Sequence, residues 1–370
     1  MIRLAYRNLF QNKVRLFIST GGVALALMLV LALDAIFSGV EQQITAYIDS
    51  SHADIFISQD GVKNMHMATS SLPASIGAEV KAVRGVRSVT PILYVSNVIR
   101  VGGESNLAYV IGLPEDATAG FVSEITEGMK VPGRNQAVID RKVAEASGVS
   151  LGEEVEILGH SFGIAGLSEG LSSLVNSVAF ISLPDFAEIR DSRDVMSFLL
   201  VEVEDGFELQ AVIRAIANQV ENVTIQTTQE FSRQERQVVK DMGTDVVAIM
   251  NLVGFSIGLA VMALTVYTAT LSRRAEYGVL KALGARNGQL YRAVLAQALI
   301  SVGLGFGMGL LFTLLLSVII PRVGFDLKLV LSYSSFVKVL AVSLLIGSLT
   351  AVLPIKQIAG LDPAIVFRKK

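Results

Sequence analysis

The chain has 370 residues, 52% of them hydrophobic and only 17% charged, with a mean hydropathy of +0.56. That balance excludes an ordinary soluble domain and places part of the chain in lipid. The formal net charge is −2 and cysteine is absent, which excludes disulfides and thiolate metal sites.

Residues 1–15 carry Arg3, Arg7, Lys13 and Arg15 with no acid. Ile2, Tyr6, Leu9 and Phe10 alternate with these cations at helical spacing, which predicts an amphipathic helix in the cytoplasmic interface; a plain topogenic charge cluster is the simpler alternative. The apolar run over 16–39 is longer than a signal-peptide core of roughly 7–15 residues and has no small-residue cleavage site, so it is expected to stay as a first transmembrane helix. Further runs over 245–271, 293–320 and 336–354 also reach the length of about 20 residues that spans a bilayer core.

Between the first two spans lies an insert, 40–244, whose residues 41–244 carry 15 basic and 28 acidic groups. ADIFIS (53–58), SVTPILYVSNVIRVGG (88–103), LAYVIGL (107–113) and FLLVEVED (198–205) alternate like strands. ASIGAEVKAVRG (74–85) and LQAVIRAIANQV (209–220) have helical spacing, with Gly85 and Asn222 as stops. GIAGLSEG (163–170) reads as a glycine-rich loop. At the ends of the insert, VEQQITAYIDSS (40–51) continues the first span without a breaker, and 229–247 sets Phe231, Gln234, Val238, Met242 and Val246 near one helical face. Two stalk helices are expected there, flexible linkers being the alternative. The expected fold is a membrane protein of four transmembrane α-helices, with a large α+β extracytoplasmic domain inserted between helices 1 and 2.

Arg273, Arg274, Lys281, Arg286 and Arg292 stand against Glu276 alone in the loop 272–292, and the tail 355–370 holds Lys356, Arg368, Lys369 and Lys370 against Asp362. The positive-inside rule puts residues 1–15, this loop and the tail in the cytoplasm, and the insert and the short loop 321–335 outside. Acidic outside and basic inside argues against nucleic acid as a partner. There is no P-loop, H-E-x-x-H or G-x-S-x-G, and His52, His66 and His160 are widely separated, as expected of surface or turn residues rather than zinc ligands. Asp34, Asp245 and Lys338 fall near the outer span ends, so no polar translocation path is visible. Gly254/Gly258, Gly303/Gly307 and Gly305/Gly309 have GxxxG spacing, which points to close helix contacts without saying which helices meet.

RLAYRNLFQNKVR (3–15), RRAEYGVLKALGA (273–285) and LPIKQIAGLDPAIVFRKK (353–370) together resemble the MacB/FtsX-like permease family of ABC transporters, as does GRNQAVIDRKVAEASGVSLGEEVEILG (133–159) more weakly. Tyr277 stands where the family more usually has an aliphatic residue. The resemblance implies a four-helix permease without a fused ATPase domain, not an enzyme by itself and without a cofactor of its own, ATP and Mg being bound by a separate ABC ATPase subunit. It makes Arg273, Arg274, Glu276, Gly278, Val279, Leu280, Lys281, Leu283, Gly284 and Ala285 the coupling element; a short helix bearing Val279, Leu280 and Leu283 with Arg274, Lys281 and Arg286 is expected to dock its apolar edge into the ATPase, a lipid-facing basic loop being the alternative. Glu276 is expected to pair with Arg273 or another base, and Gly284 to end the helix.

The implied assembly is a permease homodimer or paired permease in a bacterial inner membrane, with membrane lipid and a possible extracytoplasmic adaptor or hydrolase as further partners. By mechanotransmission it would export or extract an envelope substrate such as a lipoprotein, lipid, peptide or small hydrophobic compound. The alternative is an FtsX-type regulator that activates an envelope hydrolase and transports nothing.

Overall fold

The computed structural model describes residues 13–66, 69–122, 124–171, 177–322 and 328–360. The amphipathic helix expected over 1–15, apart from its last three residues, and the tail beyond 360 lie outside them. In chain order the elements begin with α1 (Lys13–Ile44), α2 (Ala46–Ser50), β1 (Ile55–Gln59), β2 (Leu72–Pro73), α3 (Ile76–Lys81), β3 (Val86–Val101), β4 (Glu104–Leu113) and β5 (Ile125–Gly128). They continue with β6 (Gln136–Asp140), α4 (Arg141–Ala146), β7 (Glu154–Ile157), β8 (His160–Ser168), β9 (Ser177–Ser182), α5 (Leu183–Ile189), β10 (Val195–Met196), β11 (Phe198–Val203), α6 (Leu209–Gln219) and β12 (Val223–Thr227). The last are α7 (Thr228–Ser272), α8 (Arg274–Ala282), α9 (Asn287–Arg322), α10 (Tyr333–Thr350) and α11 (Val352–Ala359). The chain divides into two units, one of residues 40–242 and one of the residues before 40 and after 242.

In the first unit one sheet runs β12-β1-β11-β3-β4-β9-β6-β8-β5, with β7 bridging β3 and β8. The 16-residue β3 holds it together: its first half pairs antiparallel with β11 and its second with β4 and β7. Alternation along β1 explains why both faces are covered. Ile55 and Ile57 join Val80, Val212 and Ile216 of α3 and α6 on one face, whereas Phe56 points to the other, with Phe198 and Phe231. A third core, built on Val110, Ile157, Phe162, Ile181 and Phe186, packs the β4, β7, β8 and β9 end against α4 and α5. Gly85 and Asn222 take positive φ (+92° and +58°) a few residues beyond α3 and α6.

Two expectations are corrected in this unit. Most of GIAGLSEG is strand β8, not loop. Phe162, Ile164 and Leu167 bury inward while β6, β5 and β7 supply its backbone partners. Its glycine has a strand's purpose: a Cβ on Gly166 would collide with the Met129 backbone where β5 ends, so a side chain there would push the edge strand away. The helix from the first span also breaks, at Thr45. The Thr45 hydroxyl reaches the Gln42 carbonyl at 3.4 Å and Asp49 at 2.8 Å, and its backbone (φ −97°, ψ 0°) leaves the helical region before α2 begins.

Among the described residues four helices are long and apolar enough to cross a membrane: Leu16–Ile44, Thr228–Ser272, Asn287–Ile320 and Tyr333–Ala359. The innermost is α1, with Val23, Leu27, Val30 and Leu31 buried against Met262, Val266, Val302, Val339 and Ile346. The glycine pairs now separate by role. Gly305 and Gly309 of α9 abut α1 at Val23 and Ala24, and Gly254 and Gly258 of α7 abut it at Val30 and Ala26. Gly303 and Gly307 meet nothing within 4 Å. Asp34 and Lys338 do not stand apart but form an ion pair between α1 and α10 at 2.5 Å.

Candidate functional site

The basic stretch after α7 forms a separate short helix. Thr270 and Ser272 hydroxyls donate to carbonyls of the preceding turn (2.8 and 3.0 Å), α7 ends at Ser272, and after Arg273 the chain re-enters helix as α8. Tyr277 anchors α8: it is buried among Leu290, Val294 and Ile358, a burial that contributes about 1.5–3 kcal/mol. The same burial pushes the pKa of its hydroxyl up. Gly278 beside it is also buried.

Both ends of α8 are fixed. Arg273 and Glu276 approach to 3.6 Å at its start. At its end the Ala285 amide donates to the Leu280 carbonyl (2.9 Å) and the Gly284 amide to the Lys281 carbonyl (3.0 Å), a Schellman stop that requires the positive φ of Gly284, +91°. Lys281 departs from its expected outward role, because its ammonium donates to the Ile358 and Ala359 carbonyls (2.8 and 3.2 Å), capping the C-terminus of α11. Leu280 likewise turns inward, half-buried against the helix core.

What α8 presents outward is therefore Val279 and Leu283, 41% and 79% exposed and one turn apart, with Arg274 and Arg286 exposed nearby. Of the apolar edge expected at Val279, Leu280 and Leu283, Val279 and Leu283 are exposed and Leu280 is half-buried. Leu280 lies three residues after Tyr277, on the face that Tyr277 buries, whereas Val279 and Leu283, four residues apart, share the exposed one.

The second functional element is the start of α7. Thr227 and Glu230 form a reciprocal capping box (3.0 and 3.1 Å). Phe231 then stacks on Phe56, centroids 4.7 Å apart, and meets Phe198 edge-on. Ser232 donates to Asp49 of α2, Arg236 lies 3.7 Å from the same carboxylate, and Lys240 lies 3.6 Å from Glu41 of α1. The face buried in α7 is Phe231, Ser232 and Glu235, continuing to Gly243, not the face through Gln234, Met242 and Val246, which are exposed. The expected face is right at Phe231, and Val238 is half-buried, but the buried stripe departs from it through two polar side chains, Ser232 and Glu235, that the domain satisfies.

Glu235 is wholly buried and accepts from the Met65 amide (2.7 Å) and from His66 Nδ1, while His66 Nε2 faces the Tyr109 hydroxyl. His66 is thus neither a surface nor a turn residue. The contacts fix its tautomer: Nδ1 carries the proton for the carboxylate and Nε2 accepts from tyrosine. Burial lowers the His66 pKa to about 4, so at neutral pH the imidazole is uncharged and its contact with Glu235 is a hydrogen bond, not an ion pair. Among the described residues no group of three or more His, Asp or Glu is arranged to hold a metal ion.

This histidine gives a signed pH dependence. Unfolded, it takes up a proton near pH 6.5; folded, it resists until about pH 4. Its contribution is complete above the upper value and is lost as pH falls through that window, by about 3 kcal/mol in all. Denaturant unfolding of the full chain in detergent should show a shallower loss of stability between these pH values for His66→Gln than for the wild type. Parallel profiles would show that His66 is not held neutral.

Residues 16–219 match the MacB-like periplasmic core domain family, and residues 248–363 match the FtsX-like permease C-terminal family. An uncharacterized ABC transporter permease of Mycobacterium tuberculosis is 20% identical over 367 residues, 99% of each chain. The macrolide export ATP-binding/permease protein MacB 2 of Yersinia pestis bv. Antiqua is 24% identical over 386 aligned positions, which cover 98% of this chain and 56% of that protein. Among solved structures, the periplasmic region of MacB from Actinobacillus actinomycetemcomitans aligns at 14% identity with a TM-score of 0.40, over 50% of this chain and 94% of that one. With the two family matches accounting for most of its length, the chain belongs to the MacB/FtsX-like permease family of ABC transporters.

Proposed function

We propose that this permease works as a dimer with a separate cytoplasmic ABC ATPase, and that it converts ATP hydrolysis into movement of an extracytoplasmic domain, residues 40–242, to export or extract an envelope substrate. The observation that carries this reading is the continuity of α7: a single 45-residue helix begins on Phe231 and Glu235 within the α/β unit and ends at Ser272, one residue before the fixed, outward-facing helix α8. An unbroken helix is stiff along its axis, so displacement of α8 reaches the start of α7 with little loss. The neighbouring α1 is interrupted at Thr45, which leaves α7 as the continuous path.

Val279 and Leu283 suit a groove on the ATPase, with Arg274 and Arg286 placed for acidic groups or lipid phosphates beside it. The basic termini and the loop 272–292 lie in the cytoplasm by the positive-inside rule. Lipoproteins, lipids, peptides and small hydrophobic compounds are the substrate classes, and the relative named as a macrolide exporter favours export over a purely regulatory role.

The cysteine-free background allows a direct test. In intact cells a membrane-impermeant thiol reagent should label Ser150→Cys and not Leu283→Cys. In inverted vesicles stripped of peripheral proteins, Leu283→Cys should label and then become protected when the ATPase is added back. Labelling of Leu283→Cys from outside, or no protection by the ATPase, would overturn the assignment.

A further inference from the structure

Glu235 is a costly choice for its position. It lies on the second turn of α7, fully buried, one turn after Phe231. A leucine there would simply extend the apolar contact, whereas a buried carboxylate is tolerable only when its oxygens are paired. Here both are. Oε2 accepts from the Met65 amide at 2.7 Å, and Oε1 accepts from His66, whose other ring nitrogen meets Tyr109 on β4, the middle strand of the main sheet path. The His66 and Tyr109 rings cross at 84° with centroids 4.7 Å apart, so the imidazole is held by packing as well as by its bonds.

Apolar and hydrogen-bonded contacts resist displacement differently. The Phe56 and Phe231 rings lie within 9° of parallel, and such a stack tolerates sliding because apolar attraction has no direction. A hydrogen bond weakens steeply once its angle falls below about 120°. Two bonds on one carboxylate therefore fix both the rotation and the axial register of the helix that bears it. Of the other contacts of α7 in this unit, Ser232 and Arg236 to Asp49 and Lys240 to Glu41 join it to α2 and α1, while Thr228, which follows β12 directly, donates to the Asp54 carbonyl at 3.0 Å and to the Ala53 carbonyl just before β1 and so fixes only the first turn.

We propose that Glu235 is a positioning residue through which α7, beyond its first turn, grips the α/β domain. With Met65, His66 and Tyr109 it locks the helix register to the β1–β2 connection and to β4, so that a shift of α7 moves the sheet and is not dissipated as slip. This inference rests on the mechanical reading above.

Two readouts separate the lock from its use. Hydrogen exchange on the full chain in detergent reports the lock itself: the Met65 amide should lose protection at least tenfold in Glu235→Leu and stay within about threefold of wild type in Glu235→Gln, whose carbonyl still accepts from it. Unchanged protection in Glu235→Leu overturns the lock. Complementation of the chromosomal deletion reports its use. Glu235→Leu should cut the output at least tenfold while the domain stays protease-resistant, and Glu235→Gln should restore most of it.

Tyr109→Phe, which removes one hydroxyl and keeps the ring, decides the matter if Glu235→Leu does not fold: output should fall about threefold or more with Met65 still protected, and full output overturns the proposal. Full output from a folded, deprotected Glu235→Leu overturns it as well. The mechanical reading fails separately, on a flexible α7 that still works.

Discussion

Leu283→Glu is expected to abolish assembly with the ATPase while leaving the chain inserted in the membrane and the α/β domain folded. Leu283 is 79% exposed, so the chain's own packing loses nothing, and a substitution at such a site changes stability by about 0.5 kcal/mol or less. A carboxylate at the C-terminal end of α8 also faces the negative end of the helix dipole, which costs about 0.3–1 kcal/mol. Neither term unfolds a helix anchored by Tyr277 and stopped by Gly284. At the proposed interface, by contrast, the new charge enters an apolar groove without a partner, at a cost of about 2–5 kcal/mol. That weakens binding by about thirtyfold to several thousandfold. Affinity purification from membranes, with the ATPase quantified in the eluate, reads the effect directly. Leu283→Met should copurify normally, and Val279→Glu should fall in between because Val279 is less exposed. Normal ATPase recovery and stimulated hydrolysis with Leu283→Glu would remove α8 from the interface.

The features legible in the sequence were those that local chemistry enforces. Strands β1, β3, β4 and β11 follow from alternation, the four spans from sustained hydrophobicity, and the end of α8 from a glycine where only a left-handed residue completes the Schellman stop. What was not legible depends on partners distant in the chain. Strand β8 looks like a loop because its glycines carry no pattern, and it becomes a strand only when β5, β6 and β7 reach it. GxxxG spacing does not reveal which pair is used; α1 selects Gly254/Gly258 and Gly305/Gly309 over Gly303/Gly307 by lying against them.

The candidate sites divide in the same way. Arg273 with Glu276 is a three-residue neighbour pair and could be read from spacing, but Lys281 turns to carbonyls 77 and 78 residues away. Glu235 is the hardest case: a hydropathy scan gives an acid to solvent, and its burial depends on an amide and an imidazole about 170 residues earlier. The only local hint was the Thr227–Glu230 capping box, which fixes where α7 starts and hence which residues share a face with Phe231.

Replacing residues 237–242 of α7 with a Gly/Ser stretch of equal length is expected to abolish the extracytoplasmic output while leaving ATPase binding and basal hydrolysis within about twofold of normal. The replacement begins after Arg236, so the Phe231 stack, the Glu235 bonds and the Arg236–Asp49 contact are all kept. The losses include the surface pair Lys240–Glu41, worth at most about 1 kcal/mol, the exposed Gln237–Asp241 hydrogen bond, and the packing of the half-buried Val238 and Val239. What changes is stiffness. Six helical residues hold their ends about 9 Å apart. Six Gly/Ser residues sample a broad distribution around about 12–14 Å, within which a displacement of a few ångströms is absorbed as chain entropy. ATPase binding is insulated because Val279 and Leu283 lie on α8, beyond the other end of α7. A helix-forming Ala/Glu/Lys replacement of the same six residues is the control and should restore output, since it returns the stiffness without the original side chains. Complementation of the deletion, measured beside hydrolysis by the purified complex and protease resistance of the domain, checks all three arms. Full output from the Gly/Ser chain would mean that the two ends of α7 need no rigid connection, and mechanotransmission would then be the wrong mechanism for this permease.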